Sequence, residues 1–304
     1  FDASGLAHPT PDWTLDDLQA AAQRLTSGAG NDKQYGFGSL GGQMREIFFF
    51  LDRMSAVETT GSGASIQPNF TDPQVVNAVR TYLDLLRAAS PHTRLQGYRR
   101  DDLRDEAYEL IRAGRVRMWL DFGLGFLGGA QGTPGFAHAI TPPPLGRSAI
   151  TTNDFFLRGL AISAATQQPA VCWAWLKYLS SDLVNLRGGF PARSSLAESD
   201  AFRRQAPSGA AAVYQAYRAA FRRTSGVAGA APDRTQSPID YYWFLRAVDR
   251  ALQGKDLGRE LADAQRVTEQ FLACVQGGSQ ASVCAPRIDP DYQGLQSAPP
   301  GSGG

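Results

Sequence analysis

The sequence predicts an α/β fold in which helices cover a sheet. Two observations point there. Short runs with strand-like character alternate with longer segments of helical periodicity, and 304 residues that are 43% hydrophobic can bury a sizeable core. No internal repeat is evident.

Taken in order, Thr14 with Asp17 makes a capping-box start, and Leu15, Leu18, Ala22 and Leu25 share one helical face, so the first helix runs to about Thr26. After the turn at Gly28 to Asn31, Lys33 to Gly38 reads as a short strand and Gln43 to Met54 as a strongly apolar helix. Phe48, Phe49 and Phe50 are consecutive there and are not expected to face one core. Thr71, Asp72 and Pro73 start a helix with proline at its first position; Val75, Val79, Tyr82, Leu83 and Leu86 are its buried face, and it ends near Ala89.

A helix at Asp105 to Ala113 stops at Gly114, and Arg115 to Phe122 alternates as a strand. Gly135 to Ile140 is a further short strand before the prolines at 142–144. Gly159 to Ser163 reads as a strand and Gln168 to Ser180 as a helix repeating Val171, Trp175, Leu176 and Leu179, with Cys172 as a small core residue. Helices follow at Ser199 to Gln205, Ser208 to Arg223, Asp240 to Gln253 and Leu257 to Val275. The segment 289–304 reads as a flexible tail, because Pro299 to Gly304 has nothing to bury.

Composition narrows the function. Lysine plus arginine number 30 against 29 acidic residues, a net charge of +1, so no overall field favours nucleic acid or an anionic membrane surface. No apolar run approaches the ~20 residues that cross a bilayer. The start at Phe1 carries no export signal and reads as the middle of a longer product. Cys274 and Cys284 bracket Gly277 and Gly278 at a spacing that suits a local disulfide, the other reading being two unpaired thiols. His8, His92 and His138 are isolated, no serine sits in a GxSxG elbow, and the glycines of 123–129 fit neither a P-loop nor a dinucleotide fingerprint. No metal site, cofactor or catalytic constellation is expected.

Several segments carry a family resemblance: "FDASGLAHPTPDWTLDDLQAAAQRLT", "IRAGRVRMWLDFG", "LAISAATQQPAVCWAWLKYLSS", "GGFPARSSLAES" and "SPIDYYWFLRAVDRALQGKDLGRELADAQ". In this order they resemble bacterial extracellular solute-binding proteins of family 1, the maltose-binding-like components of ABC importers. The resemblance implies a periplasmic-binding-protein-like type II fold, helix-rich, comprising mainly the carboxy-terminal lobe and lacking most of the amino-terminal one. It implies that 1–154 is the first part of that second lobe, that 155–195 belongs to the amino-terminal lobe, and that 196–288 is a helical return to the second lobe. It further implies an extracytoplasmic protein, periplasmic or lipid-anchored. A monomer would bind a sugar or other small solute between the lobes and dock on ABC transporter permease subunits. This chain alone is expected to bind weakly or not at all.

Sugar recognition requires flat aromatic faces and a few hydroxyl partners. Tyr241, Tyr242 and Trp243 open a helix, Trp243 matching the family's stacking tryptophan; they either face the cleft or pack an aromatic edge into the core. Trp119 and Asp121 lie near a strand end, where Asp121 either accepts sugar hydroxyls or caps the next turn. Arg193, in a loop that borders the cleft in many relatives, offers a planar fork or is simply solvated. The competing readings are a carbohydrate-active hydrolase with Asp121 and Asp154 as paired carboxylates, and a helical interaction module docking through "DYYWFL".

Overall fold

The computed structural model describes residues 1–39, 43–95, 109–120, 136–147, 160–183, 189–224 and 238–294. Helix α1, Leu15–Leu25, begins with the expected capping box: Thr14 Oγ1 accepts from Asp17 N–H at 3.2 Å while Thr14 N–H donates to Asp17 Oδ2 at 2.8 Å. Two N–H donors otherwise orphaned at the helix start are thereby satisfied. Helix α2 spans Gln43–Arg53 and helix α3 Pro73–Ala89. Asp72 caps α3 by accepting from the Gln74 and Val75 N–H groups, and Pro73 occupies a position that needs no donor.

Helix α4, Pro169–Leu179, is followed by α5, Ser194–Ala197, α6, Asp200–Gln205, and α7, Ala210–Thr224. The chain then returns through α8, Tyr242–Leu252, α9, Leu257–Gln276, and α10, Ala281–Ile288. One core joins side chains between Leu15 and Leu95 with others between Ile239 and Ala285. Within it α8 packs on α9 and α3, and α3 packs on α1 and α2.

The strands are less regular than their alternation predicts. The segments 33–38 and 115–120 meet as two parallel bridges, Tyr35 with Val116 and Gly38 with Trp119. Tyr35 N–H donates to Arg115 O at 2.8 Å and Gly38 N–H to Met118 O at 3.0 Å. On the other edge Phe37 N–H donates to Ala89 O at 3.0 Å and Ser39 N–H to His92 Nε2 at 2.9 Å. The end of α3 and its following loop take the place of a third strand. Gly36 lets this strand touch α1: a Cβ there would sit 1.8 Å from Ala22 O. The one regular ladder among the described residues is the antiparallel pair β1, Thr59–Thr60, with β2, Gln67–Pro68.

Four expectations are corrected. Phe48, Phe49 and Phe50 all reach the same core, because α2 has packing partners on two sides: Phe49 and Phe50 are buried, and the Phe48 ring lies 4.8 Å from Tyr241 on α8. Residues 160–163 pair with no strand among the described residues, and Leu160 is exposed. Helix α4 forms, but nothing described covers it; Val171, Trp173, Trp175 and Tyr178 are each more than half exposed, and Cys172 is only partly buried. Residues 289–294 are anchored rather than free, since Asp289 and Tyr292 bond to the start of α8.

Candidate functional site

Open α/β sheets bind ligands beyond the carboxyl ends of their parallel strands. For the pair described above, that edge is Ser39 and Leu120. Beside it lies a buried polar cluster contributed by four segments: Ser39 from the strand, Glu46 from the first turn of α2, Tyr82 from the middle of α3, and His92 from the loop after α3. Tyr82 Oη donates to Glu46 Oε2 at 2.7 Å. Ser39 Oγ and Glu46 Oε1 have no well-aligned hydrogen bond among the described residues.

Burial sets the protonation of this cluster. Desolvation pushes the Glu46 carboxyl up to about 7, against the opposing pull of the Tyr82 and Ser39 hydroxyls. The same burial, with the Glu46 charge beside it, holds the Tyr82 phenol well above its ordinary range. Burial lowers His92 to about 4, consistent with an unprotonated Nε2 that accepts from Ser39 N–H. The carboxyl can therefore donate or accept near neutral pH, and the imidazole can only be neutral there. Ser39, Glu46 and Tyr82 have no exposed surface, so the cluster ties the strand end to α2 and α3 from within the core.

The residues proposed from sequence fall elsewhere. Tyr241, Tyr242 and Trp243 are 5%, 3% and 1% exposed and occupy the core. Tyr241 Oη donates to Glu58 Oε1 at 3.0 Å, Tyr242 Oη to Asp291 O at 3.2 Å, and Trp243 Nε1 to Asp289 Oδ2 at 2.8 Å. The Trp243 ring lies between Phe271 and Tyr292, at 5.2 and 5.3 Å. Of the two readings of this helix start, packing an aromatic edge into the core is the one that describes the geometry. Residues from 271 to 292 supply the cover that the local sequence does not reveal.

Trp119 stands at the strand end as expected, its ring half-buried against the small cluster of Ile111 and Val116. Asp121 and Asp154 lie outside the described residues. Arg193 is exposed and turns its guanidinium to the end of α4, donating to Ser180 Oγ at 3.1 Å and Lys177 O at 3.5 Å. A cation at a helix carboxyl end offsets the partial negative charge of the unpaired carbonyls. Cys274 and Cys284 are joined in a disulfide.

Sequence reading missed Ser39, Glu46, Tyr82 as a hydroxyl donor, and His92 as a buried group. One signal was present. Glu46 and Arg53 stand four before and three after Phe50, in phase with the apolar face of α2, and both are fully buried. An ionisable residue on an apolar helical face marks a buried polar contact.

A groove of about 790 Å³ lies between the start of the strand and the loop after α3, lined by Lys33, Arg87, His92 and Arg94 among others. Its cations have structural partners: Arg87 donates to Ala251 O at the end of α8 at 2.5 Å, and Arg94 pairs with buried Asp249 at 3.5 Å. Two helix carboxyl ends converge there and explain the positive side chains. Among the described residues no three His, Cys, Asp or Glu side chains are grouped to hold a metal ion, and no helix is long and apolar enough to cross a membrane.

No family model matches this chain, and no curated protein matches it. Solved structures do. Over 90% of this chain and 69% of the other, it superposes with TM-score 0.60 and 19% identity on an ABC transporter solute-binding protein from Agrobacterium vitis S4 with bound D-mannitol. A solute-binding protein from Agrobacterium radiobacter K84 in complex with ribitol matches with TM-score 0.60 and 19% identity over 89% of this chain and 67% of the other. An ABC substrate-binding protein from Listeria monocytogenes in complex with cycloalternan matches at 0.55 and 12%, over 90% and 67%. The chain thus has the periplasmic-binding-protein-like fold that its sequence segments resemble.

Proposed function

We propose that this chain is the solute-binding component of an ABC importer, taking a polyol or sugar into a cleft between two α/β lobes and delivering it to permease subunits. The single observation that carries this reading is the likeness of fold, over 89–90% of the chain, to three solute-binding proteins whose structures hold mannitol, ribitol or cycloalternan.

In this reading the core shared by residues 15–95 and 239–285 is the carboxy-terminal lobe, and 155–195 packs on the other lobe. The composition of α4 supports that: a helix apolar nearly all round normally lies inside a protein, whereas four of its large apolar side chains are exposed here. The protein acts by capture, the solute shifting an open and closed equilibrium, and not by chemistry. It works outside the cytoplasm, where a structural disulfide such as Cys274–Cys284 persists.

A thermal-shift screen against polyols, monosaccharides and oligosaccharides tests the reading, run on this chain and on a form extended to the length of the solved neighbours. A stabilisation of the longer form that grows with ligand concentration is expected, with a weaker response from the present chain. A well-folded longer form that responds to no polyol or sugar overturns the solute class, and turnover of any glycoside overturns the binding-protein reading.

A further inference from the structure

The segment after α9 is seated on the start of α8 by side-chain contacts, and one disulfide ties it back to α9. Helix α10 has eight residues with Pro286 inside it, and buries only Cys284 and Ala285; a helix so short is marginal by itself. Beyond it, Asp289 Oδ2 accepts from Trp243 Nε1 at 2.8 Å and pairs with Arg246 at 2.6 Å. The Tyr292 hydroxyl bonds to Asp240, and its ring lies 4.8 Å from Tyr242 and 5.3 Å from Trp243. Gly277 and Gly278 make the turn between α9 and α10, with Gly278 at φ +90° and open space around it. The Cys274–Cys284 disulfide spans that turn.

We propose that residues 279–294 form a redox-latched strap: while Cys274–Cys284 is closed the strap covers Tyr242 and Trp243, and when it is reduced the strap swings about Gly277–Gly278 and uncovers them. This inference is independent of what the protein binds. A dithiol supplies the two electrons and two protons. Its thiolate attacks Cys274 Sγ, because Cys274 is partly exposed whereas Cys284 is fully buried. The sulfur–sulfur bond breaks, Cys284 leaves as a thiolate and takes a proton, and the second thiol of the reductant, as its thiolate, displaces Cys274, which takes the other proton, leaving an oxidised dithiol and two protein thiols. Without the crosslink, the segment is held by a short helix, the Tyr292 ring and a few polar contacts, and the freedom regained by the opened loop favours release. The strap is thus open in a reducing compartment and closed after oxidation.

Hydrogen–deuterium exchange on the full chain tests this, comparing oxidised protein, protein reduced with dithiothreitol, and the Cys274→Ser/Cys284→Ser double variant. Exchange in 281–294 and 241–246 is expected to accelerate at least about tenfold in both opened forms, while α3 keeps its protection. Unchanged exchange in 281–294 after thiol titration confirms reduction overturns the latch. Equal acceleration in α3 also overturns it, making the bridge a staple of the whole fold. Tyr292→Ala with the bridge intact is the second measurement: it should loosen 241–246 while sparing 281–285, and no change at 241–246 overturns the seat on α8.

Discussion

The Tyr82 hydroxyl donates a 2.7 Å hydrogen bond to Glu46 Oε2 with both side chains fully buried, so α2 and α3 are joined through a carboxyl that titrates at about 7. The folded value lies above the ordinary 4.5, so the folded state holds this proton more tightly than the unfolded chain. The contribution is whole below about pH 4.5 and is lost as the pH rises through about 7. A shift of that size corresponds to ~3 kcal/mol. Glu46→Gln should flatten the loss of stability between about pH 5 and pH 8, measured by urea unfolding, and should be more stable than the parent at the alkaline end by up to that amount.

His92 gives the opposite slope. Its folded value of about 4 lies below the ordinary 6.5, because burial disfavours the imidazolium. Its contribution is present above about pH 6.5 and is lost as the pH falls through about 4. His92→Gln keeps an acceptor for Ser39 N–H and removes the titration. Its acid unfolding limb, followed by circular dichroism, should shift to lower pH, by an amount equivalent to at most ~3 kcal/mol.

Trp243→Ala should lose about 3–5 kcal/mol of unfolding free energy, the cost of a large cavity with its lining only partly relaxed. A core role predicts this fall in urea titrations without any ligand present. A residue that served only to stack on a solute would leave the stability of the free protein nearly unchanged.

Gly36→Ala should destabilise by about 1–3 kcal/mol or more, because the added methyl meets the Ala22 carbonyl, a backbone atom of α1 that cannot rotate away. A lower melting temperature with retained helical content is the expected result. Gly30→Ala, which meets no atom within 4 Å but sits at φ +56°, separates backbone strain from collision.

Most of the helical frame was legible because helices are written locally. The capping box at Thr14 and Asp17, the Asp72–Pro73 start, and the apolar phase from Val75 to Leu86 all concern residues within a few positions of one another. The disulfide was legible for the same reason, its cysteines being ten positions apart. The strand pair was only half legible. A short run after a turn marked 33–38 and alternation marked 115–122, but the neighbour on the other edge is Ala89 to His92, which no periodicity connects to Phe37.

The candidate site divided in the same way. By itself the sequence determined which segments are helical, where they start and stop, and that aromatic residues cluster at 241–243, since these follow from spacing along one stretch of chain. Tertiary structure alone decided that Trp243 is covered, by Asp289 and Tyr292 from 46 and 49 positions further on, and that Glu46 meets Tyr82 across two helices. Burial and protonation depend on which surfaces arrive from elsewhere in the chain, and desolvation, which sets both, is a property of the assembled packing.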